Sequence, residues 1–152
     1  MFDSVQQILT AIAIAAASSW ITVQLSSQKF RSERLWEKKV SAYERVIEAF
    51  HNSKKFDMEH MTAEERGSEI DEERDLELRN LAKVGRDEIR KAADIGSFIL
   101  SENALKILAR YEAETEAAPR EPTWYEHLSA SWSRDHQYMN ELIKEAKRDL
   151  KK

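Results

Sequence analysis

Residues 35–50 read LWEKKVSAYERVIEAF. Trp36, Val40, Tyr43, Ile47 and Phe50 recur at spacings of 4, 3, 4 and 3. That period puts them on one side of a helix, and Leu35, Ala42, Val46 and Ala49 widen the stripe. A strand would alternate at a spacing of two. A stripe of two heptads suits one face of a bundle better than a free coiled coil, which needs roughly three or four heptads. No Gly or Pro occurs before Gly67, so nothing in the sequence breaks this helix on its N-terminal side.

The whole chain of 152 residues shares this character, with Gly 3, Pro 2 and Cys 0. So few breakers exclude a sandwich or barrel, which turns about every 8–12 residues. The missing Cys excludes a disulfide scaffold, a zinc ribbon and thiol catalysis. A net charge of −4 argues against nucleic acid as a partner.

Upstream of the stripe the chemistry changes. All 24 Lys and Arg lie at or beyond Lys29, and Asp3 is the one acid before it. Ser4–Gln28 is therefore a run of 25 uncharged residues. As a helix it would reach about 37 Å, against a bilayer core of about 30 Å. Its densest part, ILTAIAIAAASSWITVQL at 8–25, is apolar but rich in Ala and dotted with Thr10, Ser18, Ser19, Thr22 and Gln24.

Three readings of this run compete. A cleaved signal peptide would use Ala15-Ala16-Ala17 but lacks a basic n-region. An Ala-rich helix also suits the core of a soluble bundle. The leading expectation is a single transmembrane anchor over 1–28. Lys29, Arg31, Arg34, Lys38 and Lys39 crowd its C-terminal flank, so the positive-inside rule puts the N-terminus outside and residues 29–152 in the cytoplasm. Ala11, Ala15 and Ser19 recur at four, as do Ala13 and Ala17. Such a face lets two spans approach closely, which makes the chain a candidate homo-oligomer through the span.

Downstream, residues 57–77 are acidic, with 10 of 21 Asp or Glu. No strong stripe runs through them, and Thr62-x-x-Glu65 and Ser68-x-x-Asp71 look like capping boxes. We expect a loop over 57–68 and a second helix over about 69–98. Its apolar positions are Ile70, Leu78, Leu81, Ile89, Ala92, Ile95 and Ile99. Gly85, Ala92 and Gly96 fall nearly on one line and point to a close helix crossing. Ser101 is a good N-cap for a third helix over about 102–117, which Pro119 and Pro122 end. Thr123-x-x-Glu126 is a capping box opening a fourth helix, with Trp124, Leu128, Trp132, Met139, Leu142, Ala146 and Leu150 as its stripe.

The predicted fold is all-α: an N-terminal transmembrane helix continuing into a cytoplasmic antiparallel bundle of about four helices. Short links make neighbours antiparallel. The acidic turn then lies far from the membrane, and the C-terminus returns to it. That end carries Lys144, Lys147, Arg148, Lys151 and Lys152. Together with Lys29, Arg31, Arg34, Lys38 and Lys39 they form a candidate membrane-surface set, with anionic lipid as the partner.

Few residues fall in patterns that carry chemistry. There is no Gly-rich phosphate loop, no G-x-S-x-G elbow and no H-E-x-x-H helix. Glu48-x-x-His51 and Asp57-x-x-His60 echo half of a di-metal bundle site, but both lie on one helix or its end. His127 and His136, nine residues apart, read as surface residues. The expectation is no enzyme, no cofactor and no metal.

The stretches LWEKKVSAYERVIEAF at 35–50, KAADIGSFILSENAL at 91–105 and EAKRDLKK at 145–152 resemble those of small bacterial single-pass membrane proteins with a cytoplasmic helical domain. The resemblance implies a bacterial or phage origin and the anchor-plus-bundle plan. It implies no activity and no site residue. Two function classes follow from the residues. One is a membrane-anchored scaffold that recruits a cytoplasmic protein to the inner membrane. The alternative is a membrane-active effector, of phage-defence or toxin type, whose spans assemble in the bilayer.

Overall fold

The computed structural model describes the backbone of residues 2–151, and the side chains there except those of 2–18, 21 and 28. The described residues hold four α-helices, one short 3-10 turn and no strand. The helices are α1 (Phe2–Glu65), α2 (Glu72–Ile95), α3 (Glu102–Glu116) and α4 (Trp124–Asp149). The chain divides into two compact units, Met1–Glu37 and Lys38–Lys152.

In the first unit, Trp20, Val23, Leu25 and Phe30 are exposed apolar side chains. Arg34 lies 5.0 Å over the Phe30 ring. Among the described residues, no helix is long and apolar enough to cross a membrane. The anchor expectation rests on the run Ser4–Gln28, and most of that run's side chains lie outside the described residues.

The second unit is the bundle, and its helix ends follow local chemistry. α1 does not stop near 56 as expected; it continues through 57–65. It ends where Gly67 takes φ +61, a left-handed conformation that Gly adopts without a Cβ clash. Ser68 N–H then donates to Ala63 O at 2.9 Å, and Gly67 N–H to Glu64 O at 3.0 Å. These two bonds make a Schellman end. Thr62 is thus no N-cap; its hydroxyl donates back to Met58 O at 2.8 Å inside the helix.

Asp71 opens α2 instead, accepting from Glu73 N–H at 3.1 Å and Arg74 N–H at 3.4 Å. Glu72, Glu73 and Asp75 in the first turn suit the positive end of the helix dipole. α2 gives way to a 3-10 turn at Gly96–Phe98. Ser101 caps α3 through Ala104 N–H at 3.1 Å. Thr123 and Glu126 form the expected capping box of α4, with bonds of 3.2 and 3.1 Å.

Cross-helix pairs fix the antiparallel course of α1 and α4. Lys39 meets Asp149 at 3.1 Å, Lys54 meets His136 at 2.8 Å, and Tyr125 meets Glu65 at 2.6 Å. The core between them takes Tyr43, Val46, Ala49 and Phe50 from α1 and Tyr138, Leu142 and Ala146 from α4. Ile89 of α2, Leu100, and Ala104, Leu108 and Tyr111 of α3 complete it. Phe50, Tyr111 and Tyr138 pack edge-to-face, with centroids 4.9 and 5.5 Å apart. Such pairs add about 0.5–1.5 kcal/mol each beyond their buried area.

Some stripe residues lie elsewhere. Leu35, Trp36, Ile95 and Trp124 are half or more exposed. Leu35 and Trp36 precede the bundle unit, which begins at Lys38. Gly85 lies at the expected close crossing, against the Ala49 backbone of α1.

Candidate functional site

Phe50, Ser53 and Asp57 continue the inward face of α1 at spacings of three and four. The apolar stripe therefore turns polar while staying buried. On α4, half-buried Ser131 and buried Asp135 make the same step. Asp57 is 4% exposed and Asp135 is 1% exposed. Because the helices run antiparallel, the two Ser-x-x-x-Asp units face each other in reverse. The Ser131 hydroxyl serves Asp57, and the Ser53 hydroxyl serves Asp135. Tyr111 of α3 donates to Asp135 Oδ1 at 2.9 Å. Asp57 Oδ2 and Asp135 Oδ2 are buried with no hydrogen-bond partner among the described residues.

Two buried carboxyls this close in charge cannot both ionise cheaply. Burial raises the Asp57 carboxyl from 3.8 to about 7, the Asp135 charge adds to it, and Ser131, Arg86 and Arg134 oppose it. Burial raises Asp135 too, against Ser53, Tyr111 and the same two arginines. The Tyr111 hydroxyl is pushed well above its usual range, first by burial and then by Asp135. Asp57 thus keeps its proton up to about neutral pH inside the bundle. Ser131 and Arg134 also line a surface groove with Glu114, Pro119 and His127. No motif search exposes this pair, because Ser-x-x-x-Asp is common and its two copies meet only in the folded register.

Beside the pair, burial lowers the Lys54 ammonium while Asp135 opposes that shift. Lys54 lies 4.9 Å from the Trp132 ring centroid, and Trp132 stacks on His136. His136 accepts the Lys54 proton donor at Nδ1, so it is a partly buried partner rather than the surface residue expected. His127 is exposed and stacks on Trp124.

The half-motifs for a metal do not converge. Glu48 and His51 are exposed. Asp57 points into the core, whereas His60 bonds Phe56 O at 2.9 Å and Asp75 at 2.8 Å. No group of three or more His, Cys, Asp or Glu among the described residues is placed to hold a metal ion.

The basic residues read as a membrane-surface set divide by role. Lys29 is exposed and 3.9 Å from Glu33, and Arg31, Arg34 and Lys38 are exposed. Lys39 is half-buried on Asp149, and Arg148 lies 3.3 Å from Glu145. Lys144, Lys147 and Lys151 are exposed. Ser19 is exposed. The side chains of Lys152, Ala11 and Ala15 lie outside the described residues.

Lys39 and Arg148 belong to a second buried network that closes the other end of the bundle. Tyr43 donates to Asp149 Oδ2 at 2.9 Å and accepts from Ser101 N–H at 3.4 Å. Ser101 in turn donates to Glu145 Oε1 at 2.9 Å. Tyr43→Phe keeps the ring and removes both hydroxyl bonds, leaving a buried carboxylate oxygen short of a donor. The expected loss is about 2 kcal/mol. A urea melt with an unchanged midpoint would exclude the network as a stabilising contact.

No family model, curated protein or solved structure matches this chain.

Proposed function

We propose that the chain is a membrane-tethered helical module that holds a cytoplasmic protein partner at the inner membrane. One observation carries the reading: 25 uncharged residues, Ser4–Gln28, followed at once by a chain in which every Lys and Arg resides. That asymmetry is what a single-pass anchor with its C-terminal domain inside requires. The bundle supports the second half of the reading. Leu76 and Val84 of α2 are each 60% exposed. Apolar side chains left outside a bundle offer a partner helix its contact area.

The test uses the missing Cys. Phe2→Cys and Lys152→Cys are made separately, and intact and lysed cells are treated with a membrane-impermeant maleimide. Phe2→Cys is expected to label in intact cells, and Lys152→Cys only after lysis. If neither labels before lysis, the tether fails and the first helix belongs to a soluble core or an internal hairpin.

A further inference from the structure

The end of the bundle where residue 38 enters combines three segments. Tyr43 of α1, Ser101 ahead of α3, and Glu145 and Asp149 of α4 are hydrogen-bonded together there. The acids at this end are largely engaged. Asp149 is 7% exposed and holds Lys39; Glu145 is 6% exposed and holds Arg148. Glu102 holds Lys106 at 2.8 Å. Lys38, Lys144, Lys147 and Lys151 are exposed and have no ion-pair partner among the described residues. Asp94, in the last turn of α2, and Glu37 and Glu44 of α1 are exposed acids at this end.

Phe98 stands in the 3-10 turn three residues before Ser101. It is 86% exposed, the highest among the exposed large hydrophobics, and Ile95 beside it is 57% exposed. A bare phenyl ring is costly in water and at home at a lipid interface, where a ring can enter the acyl boundary while ammonium groups at the same end meet phosphate.

We propose that this end of the bundle docks on an anionic lipid headgroup layer, with Phe98 inserted and Lys144, Lys147 and Lys151 on the phosphates. The inference rests on the membrane-tethered reading, since the tether supplies the layer. Nine residues, 29–37, separate Gln28, the last of the uncharged run, from Lys38 in the sequence. Lysines on flexible stems also fit a delocalised charged layer better than the fixed forks of a protein ion-pair site, where Arg predominates. Docking would hold the bundle in one orientation to the membrane and leave Leu76 and Val84 of α2 for a protein partner.

Ser97→Cys in the full-length protein gives one site for an environment-sensitive fluorophore beside Phe98. The labelled protein is reconstituted in phosphatidylcholine vesicles with or without phosphatidylglycerol. Flotation with plain phosphatidylcholine reads the anchor by itself. The expected result is blue-shifted emission, quenched by brominated lipid, only when phosphatidylglycerol is present. High salt should reverse it. Phe98→Ser should abolish the shift without changing flotation. Lys144→Glu, Lys147→Glu and Lys151→Glu combined should lower the docked-to-undocked ratio by roughly a hundredfold. Emission indifferent to phosphatidylglycerol in a protein that floats overturns the docking and gives the patch to an acidic protein surface. A protein that does not float overturns the tether reading, and the docking with it.

Discussion

Asp57→Asn is expected to stabilise the bundle at pH 8 and to flatten its stability between about pH 4 and 7. The Asp57 carboxyl is raised from 3.8 to about 7 by burial first and the Asp135 charge second. In the unfolded chain it gives up its proton near its ordinary value. In the fold it keeps that proton until about neutral pH. The folded state therefore binds more protons across this window, and stability falls as pH rises through it. The favourable contribution is complete below about 4 and is gone above about 7. A shift of this size corresponds to about 4 kcal/mol at 1.36 kcal/mol per pH unit. Asn fills the same space with no charge to bury, and its amide oxygen still accepts from Ser131. Allowing about 1 kcal/mol for the weaker bond to a neutral acceptor leaves a gain of about 3 kcal/mol at pH 8. The melting midpoint should rise by on the order of 10 °C there and hardly at all at pH 4.5. The paired carboxylates Glu59, Asp75, Glu102 and Glu141 are all lowered by their cation or amide partners, so their own contribution fades only in more acid solution. Thermal melts of both proteins across this range decide it. If Asp57→Asn is the less stable protein at pH 8, the Asp57 carboxyl does not hold its proton up to neutral pH.

That outcome bears on what the pair is for. If a neutral isostere is more stable, the carboxyls are not there to hold the bundle together. What their placement is suited to specify is register. Ser53 and Asp57 meet Asp135 and Ser131 only when α1 and α4 run antiparallel in this alignment. Displacing one helix by a turn would bring a carboxyl against Phe50 or Leu128. In some proteins a buried polar match of this kind costs stability and selects one packing over its neighbours.

The same residues explain where the sequence could be read and where it could not. Tyr43, Val46, Ala49 and Phe50 announce a helix by spacing alone, and Ser101 and the Thr123–Glu126 pair announce their caps by residue type. These are local rules, satisfied within a turn or two. Ser53 and Asp57 keep the spacing but lose the hydrophobicity, so a stripe read from apolar residues ends at Phe50. The acidic run beyond then looks like loop, whereas α1 carries on to Glu65. The helix there is held by tertiary and end contacts. His60 reaches Asp75, Arg74 meets Glu59 at 2.5 Å, and Gly67 closes the terminus. None of those partners is visible without the fold. Trp36 shows the converse, since it fits the stripe yet is 53% exposed.

Gly85→Ala should reverse the usual sign of its class. In the middle of an ordinary helix, Ala in place of Gly gains about 1 kcal/mol from propensity. Here the added Cβ would sit 2.7 Å from Ala49 O and 3.4 Å from Ala49 C. Both atoms are backbone of α1, so no side-chain rotation relieves the clash. α1 and α2 must separate, and the packing that buries Leu78, Ala82 and Ile89 loosens with them. The expected net loss is about 2–3 kcal/mol, and Gly85→Val should lose more. Gly67 supplies the control. Its φ of +61 strains any Cβ, but that Cβ would meet nothing within 4 Å. Gly67→Ala should therefore lose only the left-handed penalty, about 1 kcal/mol. The order of the two losses in urea melts separates steric contact from backbone strain. Native-state hydrogen exchange should place the Gly85→Ala loss on the amides of α2 and the facing turns of α1. A more stable Gly85→Ala protein would mean that α2 does not cross α1 this closely. The seat of α2 would then be wrong, along with the exposure of Leu76 and Val84 on which the proposed partner face rests.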